Sequence, residues 1–134
     1  MKLGTLMMVK SIVCLVFGVI FVASPGILLA LFGVPNLNES GVWMTRLYGS
    51  AFIGLGLLLW FIRNTSDSTV LRGVALAVSI GDGIGFLVVL LGQVGGVMNA
   101  LGWSVVALYL LLTVGFGYFL VAKPVAQPHP GQVS

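Results

Sequence analysis

Residues 71–92, LRGVALAVSIGDGIGFLVVLLG, form an apolar run long enough to cross a bilayer, and they carry one carboxylate, Asp82, near the middle. At a rise of about 1.5 Å per residue, Asp82 lies about 15 Å from Arg72 at one end and as far from Gln93 at the other, close to a membrane midplane. A charged group there costs about 2.5 to 3.5 kcal/mol on insertion scales, so it is expected to face the interior of a bundle and to have a partner. In the same run Gly73, Ala77, Gly81 and Gly85 recur every fourth residue, which stacks them on one helix face and predicts a closely packed helix against that stripe.

The rest of the chain repeats the apolar pattern. Of its 134 residues 59% are hydrophobic and only 7% charged, with a mean hydropathy of +1.17, whereas soluble domains carry about 25% charged residues. This composition predicts an integral membrane protein. Transmembrane helices are expected over residues 3–23, 42–62, 70–92 and 101–122. The basic start and apolar core of the first also outline a secretory signal peptide, but no small-x-small cleavage site precedes the next hydrophobic segment, so it reads as a span. Ser24-Pro25-Gly26 ends it, because proline lacks an N–H and disfavours helical geometry in the residue before it. The following PGILLALF, eight residues, is too short to span and is expected to form a short interfacial helix from Pro25 to Phe32. The fold class is therefore all-α: a four-transmembrane-helix bundle over residues 1–122 with that interfacial helix after the first span, and a Pro-rich disordered cytoplasmic tail over 123–134.

Asn38 or Ser40 is placed to cap the second span, and Asp67 or Ser68 the third. Trp43, Arg46 and Tyr48 at one end of the second span and Trp60 and Arg63 at the other suit the two interfaces. The short polar link NTSDST makes the second and third spans expected antiparallel neighbours. Four spans put both termini and the link between the second and third on one side, which carries Lys2, Lys10, Arg63, Arg72 and Lys123 against Arg46 alone opposite. The excess of basic residues makes that side cytoplasmic, in a plasma (inner) membrane. The formal charge of +3 is explained by this topology, and no nucleic-acid partner is expected.

Little in the chain suggests chemistry. Three acidic residues, one histidine in the tail, His129, and one cysteine, Cys14, form no plausible metal set, and Gly81 to Gly85 lacks the preceding strand a nucleotide fingerprint needs. The reading is a protein that is not an enzyme, with no catalytic residues, no metal and no cofactors. Asp82 is the polar outlier. Counting along the helices puts Tyr109 of the last span and Lys10 of the first at similar depth, so both are candidate partners. Asp82, Tyr109 and Lys10 form the candidate intramembrane polar site, either as interhelical glue or as a proton-sensitive or ligand-orienting group. Gly49, Gly54, Gly56, Gly115 and Gly117 on the second and fourth spans read as close-packing positions.

The Pro25 segment after the first span, the RLYGSAFIGLGLLLWFIR run from Arg46 to Arg63 and the GVMNALGW run from Gly96 to Trp103 together resemble the small four-helix DoxX-like membrane proteins and their uncharacterised relatives. That resemblance implies a four-helix bundle acting as a helper or binder, some DoxX-like chains being membrane subunits of quinone-linked oxidoreductases. It transfers no cofactor ligand to a numbered residue. Two functions follow as expectations. One is an accessory subunit of a larger respiratory, photosynthetic or transport complex in the lipid bilayer. The other is a stand-alone binder of a lipid, quinone or other hydrophobic small molecule in the bundle core, with Asp82, Tyr109 and Arg46 orienting its polar head. A solute transporter is disfavoured, since one acidic residue makes a poor conduction path.

Overall fold

The structure, a computed structural model, describes residues 3–34 and 36–121. The tail assigned to 123–134, with Lys123 and His129, lies outside the described residues, as does Lys2. The described residues form five helices in the order α1 (Leu3–Ala23), α2 (Pro25–Leu31), α3 (Glu39–Ile62), α4 (Ser68–Val94) and α5 (Gly102–Val121). Four of them, α1, α3, α4 and α5, are long and apolar enough to cross a membrane, which makes the chain a membrane protein.

The helix ends follow local chemistry. Asn38 caps α3 by accepting from the N–H of Gly41 at 2.7 Å, so that helix begins three residues before the expected start at 42. Asp67 caps α4 by accepting from Thr69 and Val70, which moves its start to Ser68. Helix α2 has Pro25 at its first turn, where the missing N–H has no intrahelical partner to lose. Just past its end at Leu31 and the Phe32 cap, Gly33 has a φ of +84° that lets Val34 N–H reach back to Leu29 and Gly33 N–H to Ala30, a left-handed turn that a side chain would strain.

The spans associate as two tight pairs, α1 with α3 and α4 with α5, and α1 also packs on α5. This corrects the expected pairing of the second and third spans: α3 and α4 are joined by a short turn but are not close neighbours, because α3 packs on α1 instead. The α1/α3 seam explains that choice. A Cβ on Gly49 would stand 2.8 Å from the carbonyl oxygen of Gly18, and one on Gly18 would stand 2.8 Å from that of Gly49, so the two backbones meet where neither has a side chain. A turn and a half to two turns further along, Ser11 donates to the carbonyl of Gly56 at 2.6 Å. The stripe on α4 does not hold a neighbour in the same way. Nothing lies within 4 Å of where a side chain would begin on Gly73 or Gly81, Ala77 is exposed, and of the four only Gly85 is closely packed, against the ring of Tyr109.

The core sits at one end of the bundle. Leu3, Leu6 and Met7 of α1, Leu59 of α3, Ala75 and Val78 of α4, and Leu112, Phe116 and Phe119 of α5 bury one another beside the α3–α4 turn. At that turn Arg63 stacks on Trp60 at 3.8 Å, and at the start of α3 Arg46 lies over Trp43 at 5.0 Å. The contrast between seam and stripe gives a direct expectation. Gly49→Ala should destabilise the purified protein in micelles by about 1 to 3 kcal/mol through overpacking. Gly81→Ala should be neutral or stabilising by less than about 1 kcal/mol, as an open helical position allows. Equal losses on thermal unfolding would show that α1 and α3 do not meet at Gly18 and Gly49.

Candidate functional site

Lys10 projects from the middle of α1, one turn above Met7 of the core. It is 4% exposed, and its Nζ donates to Oδ1 of Asp82, itself 5% exposed, at 2.7 Å. The backbones of α1 and α4 are not closely packed, so the long lysine stem spans the gap between the two helix pairs. Of the two partners read from depth for Asp82, the structure brings Lys10 to it. The hydroxyl of Tyr109 lies instead 2.8 Å from that of Tyr48 on α3, a bond across the bundle in which either oxygen can donate. Tyr48 is a partner the sequence reading missed, having assigned it to the membrane interface. Its only sequence signal was the i, i+4 spacing with Phe52, which puts both rings on one helix face.

The ion pair has an asymmetry. Among the described residues the buried Oδ2 of Asp82 has no hydrogen-bond partner, and Lys10 is the one group that compensates its carboxylate. The Nζ of Lys10 has one acceptor among the described residues, leaving two of its three N–H groups unpaired. Lys10 is also part of the wall of a cavity of about 180 Å³.

That cavity opens on the far side of the ion pair from the core. Val13, Cys14, Phe17 and Phe21 of α1, Tyr48 and Phe52 of α3, and Val105, Leu108, Tyr109 and Leu112 of α5 form most of its wall, with Leu29 and Phe32 approaching from α2 and its end. Tyr48 and Phe52 pack at a tilt with centroids 4.4 Å apart, and Phe21 lies against both at 6.2 and 6.3 Å. The wall is therefore apolar and aromatic, and Lys10, Cys14, Tyr48 and Tyr109 are the lining residues with polar side-chain atoms. Cys14 is buried in it, as expected of a small apolar-like residue. Arg46, expected to help orient a head group, does not line the cavity.

A second group of contacts lies near the cavity, where the end of α2 meets the α4–α5 turn. Asn99 in the α4–α5 turn donates from its side chain to the carbonyl of Leu31 at 2.9 Å and from its backbone to Phe32 at 2.8 Å. Gln93 in turn donates to the carbonyl of Asn99 at 3.0 Å, so α2 is tied to the far end of α4. Neither residue stands out in the sequence, since Asn and Gln beside glycines read as turn formers. No group of three or more His, Cys, Asp or Glu residues that could hold a metal occurs among the described residues.

A family described as Domain of unknown function (DUF8292) matches residues 8–129, and the chain belongs to it. No curated protein matches the chain, and no solved structure does.

The geometry sets an expectation for the pair. Lys10→Met leaves a buried carboxylate with no donor, and Asp82→Asn leaves a buried ammonium without a counter-charge. Each should lower unfolding free energy by about 3 to 5 kcal/mol. The combined variant should recover much of that loss, and a double-mutant cycle on thermal or denaturant unfolding measures it. Strictly additive losses would mean that the two side chains do not interact.

Proposed function

We propose that this family member binds a hydrophobic small molecule, a lipid, quinone or similar compound, in its bundle core. The observation that carries the reading is the cavity of about 180 Å³, walled by aromatic and aliphatic side chains and ending on a buried lysine. Ligand sites are concave, mostly apolar and provided with a few placed polar groups, and this cavity has those properties. For scale, an apolar cavity of about 150 Å³ accommodates benzene. The Lys10–Asp82 pair and the Tyr48–Tyr109 pair are the groups that orient a polar head, and α2 is the element that covers the bound molecule. In this reading α2 lies along the membrane surface, with both termini on the cytoplasmic face of a plasma (inner) membrane. The chain acts by binding rather than by catalysing a reaction, and its likeness to DoxX-like proteins is of the same proposed kind.

A second reading, an accessory subunit of a larger membrane complex, is favoured by a different observation. The Gly73, Ala77 and Gly81 stripe of α4 is exposed, and small residues on an exposed transmembrane face allow another helix to approach closely. The two roles are compatible, because stripe and cavity use different surfaces.

Mass spectrometry of the gently solubilised protein tests the first reading. A defined apolar species should copurify, and Val105→Trp, which fills the cavity from its wall, should reduce its occupancy at least about tenfold while the bundle still folds. Unchanged occupancy in that variant would place the bound molecule elsewhere. A topology reporter fused after Ser134 should read cytoplasmic, since the positive-inside rule sets the orientation. A signal from the other side would overturn the charge argument.

A further inference from the structure

The polar groups of the cavity select among hydrophobic ligands, an inference that rests on the binding role just proposed. Lys10 lines the cavity and has N–H groups with no acceptor among the described residues, and whichever tyrosine donates in the Tyr48–Tyr109 bond, the other keeps its own O–H. The cavity wall therefore has hydrogen-bond donors in excess. Asp82, the strong acceptor nearby, is not part of that wall. Charge narrows the choice further. Lys10 is already neutralised by Asp82 at 2.7 Å, so the buried site is balanced before any ligand enters. A carboxylate or phosphate head would add an uncompensated negative charge to an apolar, buried environment beside Asp82, whose Oδ2 has no donor among the described residues. A carbonyl oxygen has the complementary properties: it accepts, carries no net charge and brings no proton that needs an acceptor of its own.

We infer that the cavity takes a neutral amphiphile with a carbonyl-type oxygen, held with that oxygen against Lys10 and its apolar body between the aromatic rings of α1 and α3, in preference to an anionic lipid or fatty acid. The Lys10–Asp82 pair then does two things at once: it joins the helix pairs, and its neutrality excludes anions while its spare N–H groups recognise the head.

Three eight-carbon probes separate the possibilities: octane, methyl hexyl ketone and ionised octanoate. Each is titrated into the protein in lipid nanodiscs and followed by the methyl resonance of Met98, a cavity-wall residue, with affinities corrected for partition into empty nanodiscs. The ketone should bind about tenfold or more tighter than octane and octanoate, as one well-placed hydrogen bond to a charged donor allows. Its carbonyl stretch should shift to lower frequency on binding. That shift should be lost in the Lys10→Met, Asp82→Asn double variant and kept, weakened at most, in Tyr109→Phe. Octanoate binding as tightly as the ketone overturns the inference, and so does octane binding equally, although the latter leaves the cavity reading standing. Failure of all three to perturb Met98 sinks both.

Discussion

Among the described residues one ion pair, Lys10 with Asp82, is buried between the two halves of this bundle. Within each half the helices meet directly, α1 on α3 through the facing glycines Gly18 and Gly49, and α4 on α5 with Gly85 under the ring of Tyr109. Between the halves lie the shared apolar core with the packing of α1 on α5, the Tyr48–Tyr109 hydrogen bond, the Asn99 bonds to Leu31 and Phe32, and Lys10 on Asp82. In a membrane the apolar surfaces of helices gain little by leaving lipid, so directed polar contacts and close packing decide how helices associate. Two opposite charges at such depth stabilise each other only as a pair, and each alone is a serious liability. The chain thus has one position where a polar error in either half is felt by both.

The placement of that pair also divides the interior. On one side lie Leu6, Met7, Leu59 and Phe116, a closed apolar core, and on the other the cavity, walled by Phe17, Phe21, Tyr48 and Phe52. The spacing between the helix pairs that a lysine stem is needed to bridge is part of the same geometry, since the bundle stays open beyond Lys10. Asn99 and Gln93 finish the arrangement by tying the end of α2 to the turn after α4, which brings Leu29 and Phe32 to the cavity's edge. Core, pair and cavity follow one another along the bundle, with the end of α2 at the cavity's edge.

Much of this was legible in the sequence, and the rest was hidden for identifiable reasons. Hydropathy located all four long helices because a bilayer demands about twenty apolar residues whatever the packing. Caps such as Asn38 and Asp67 moved their ends by only a few residues. Depth counting from the helix ends brought Lys10 to the level of Asp82, since rise per residue is nearly constant. The same counting could not separate Lys10 from Tyr109, because depth says nothing about which way a helix is rotated. The α4 stripe shows that ambiguity most clearly. A four-residue repeat of small side chains defines a face, but Gly73 and Gly81 look the same in sequence whether that face meets a helix or lies open, and the seam that does meet a helix uses Gly18 and Gly49, with Gly18 alone in its helix interior. Helix order misled for a related reason: a short α3–α4 link limits the distance between two ends without making the helices pack. The cavity has no sequence signature, because its wall is drawn from all five helices, Val89 coming from α4.

The central claim is that Lys10 and Asp82 are paired as ions inside the folded protein in its membrane. Solid-state NMR distance measurement between isotope-labelled lysine side-chain nitrogen and aspartate side-chain carboxyl carbon, in protein reconstituted into bilayers, tests it most directly. The account predicts strong dipolar dephasing of one lysine signal with the shift of a charged ammonium, abolished in Asp82→Asn. A lysine spectrum with no dephased signal, or one that is the same in Asp82→Asn, would contradict it.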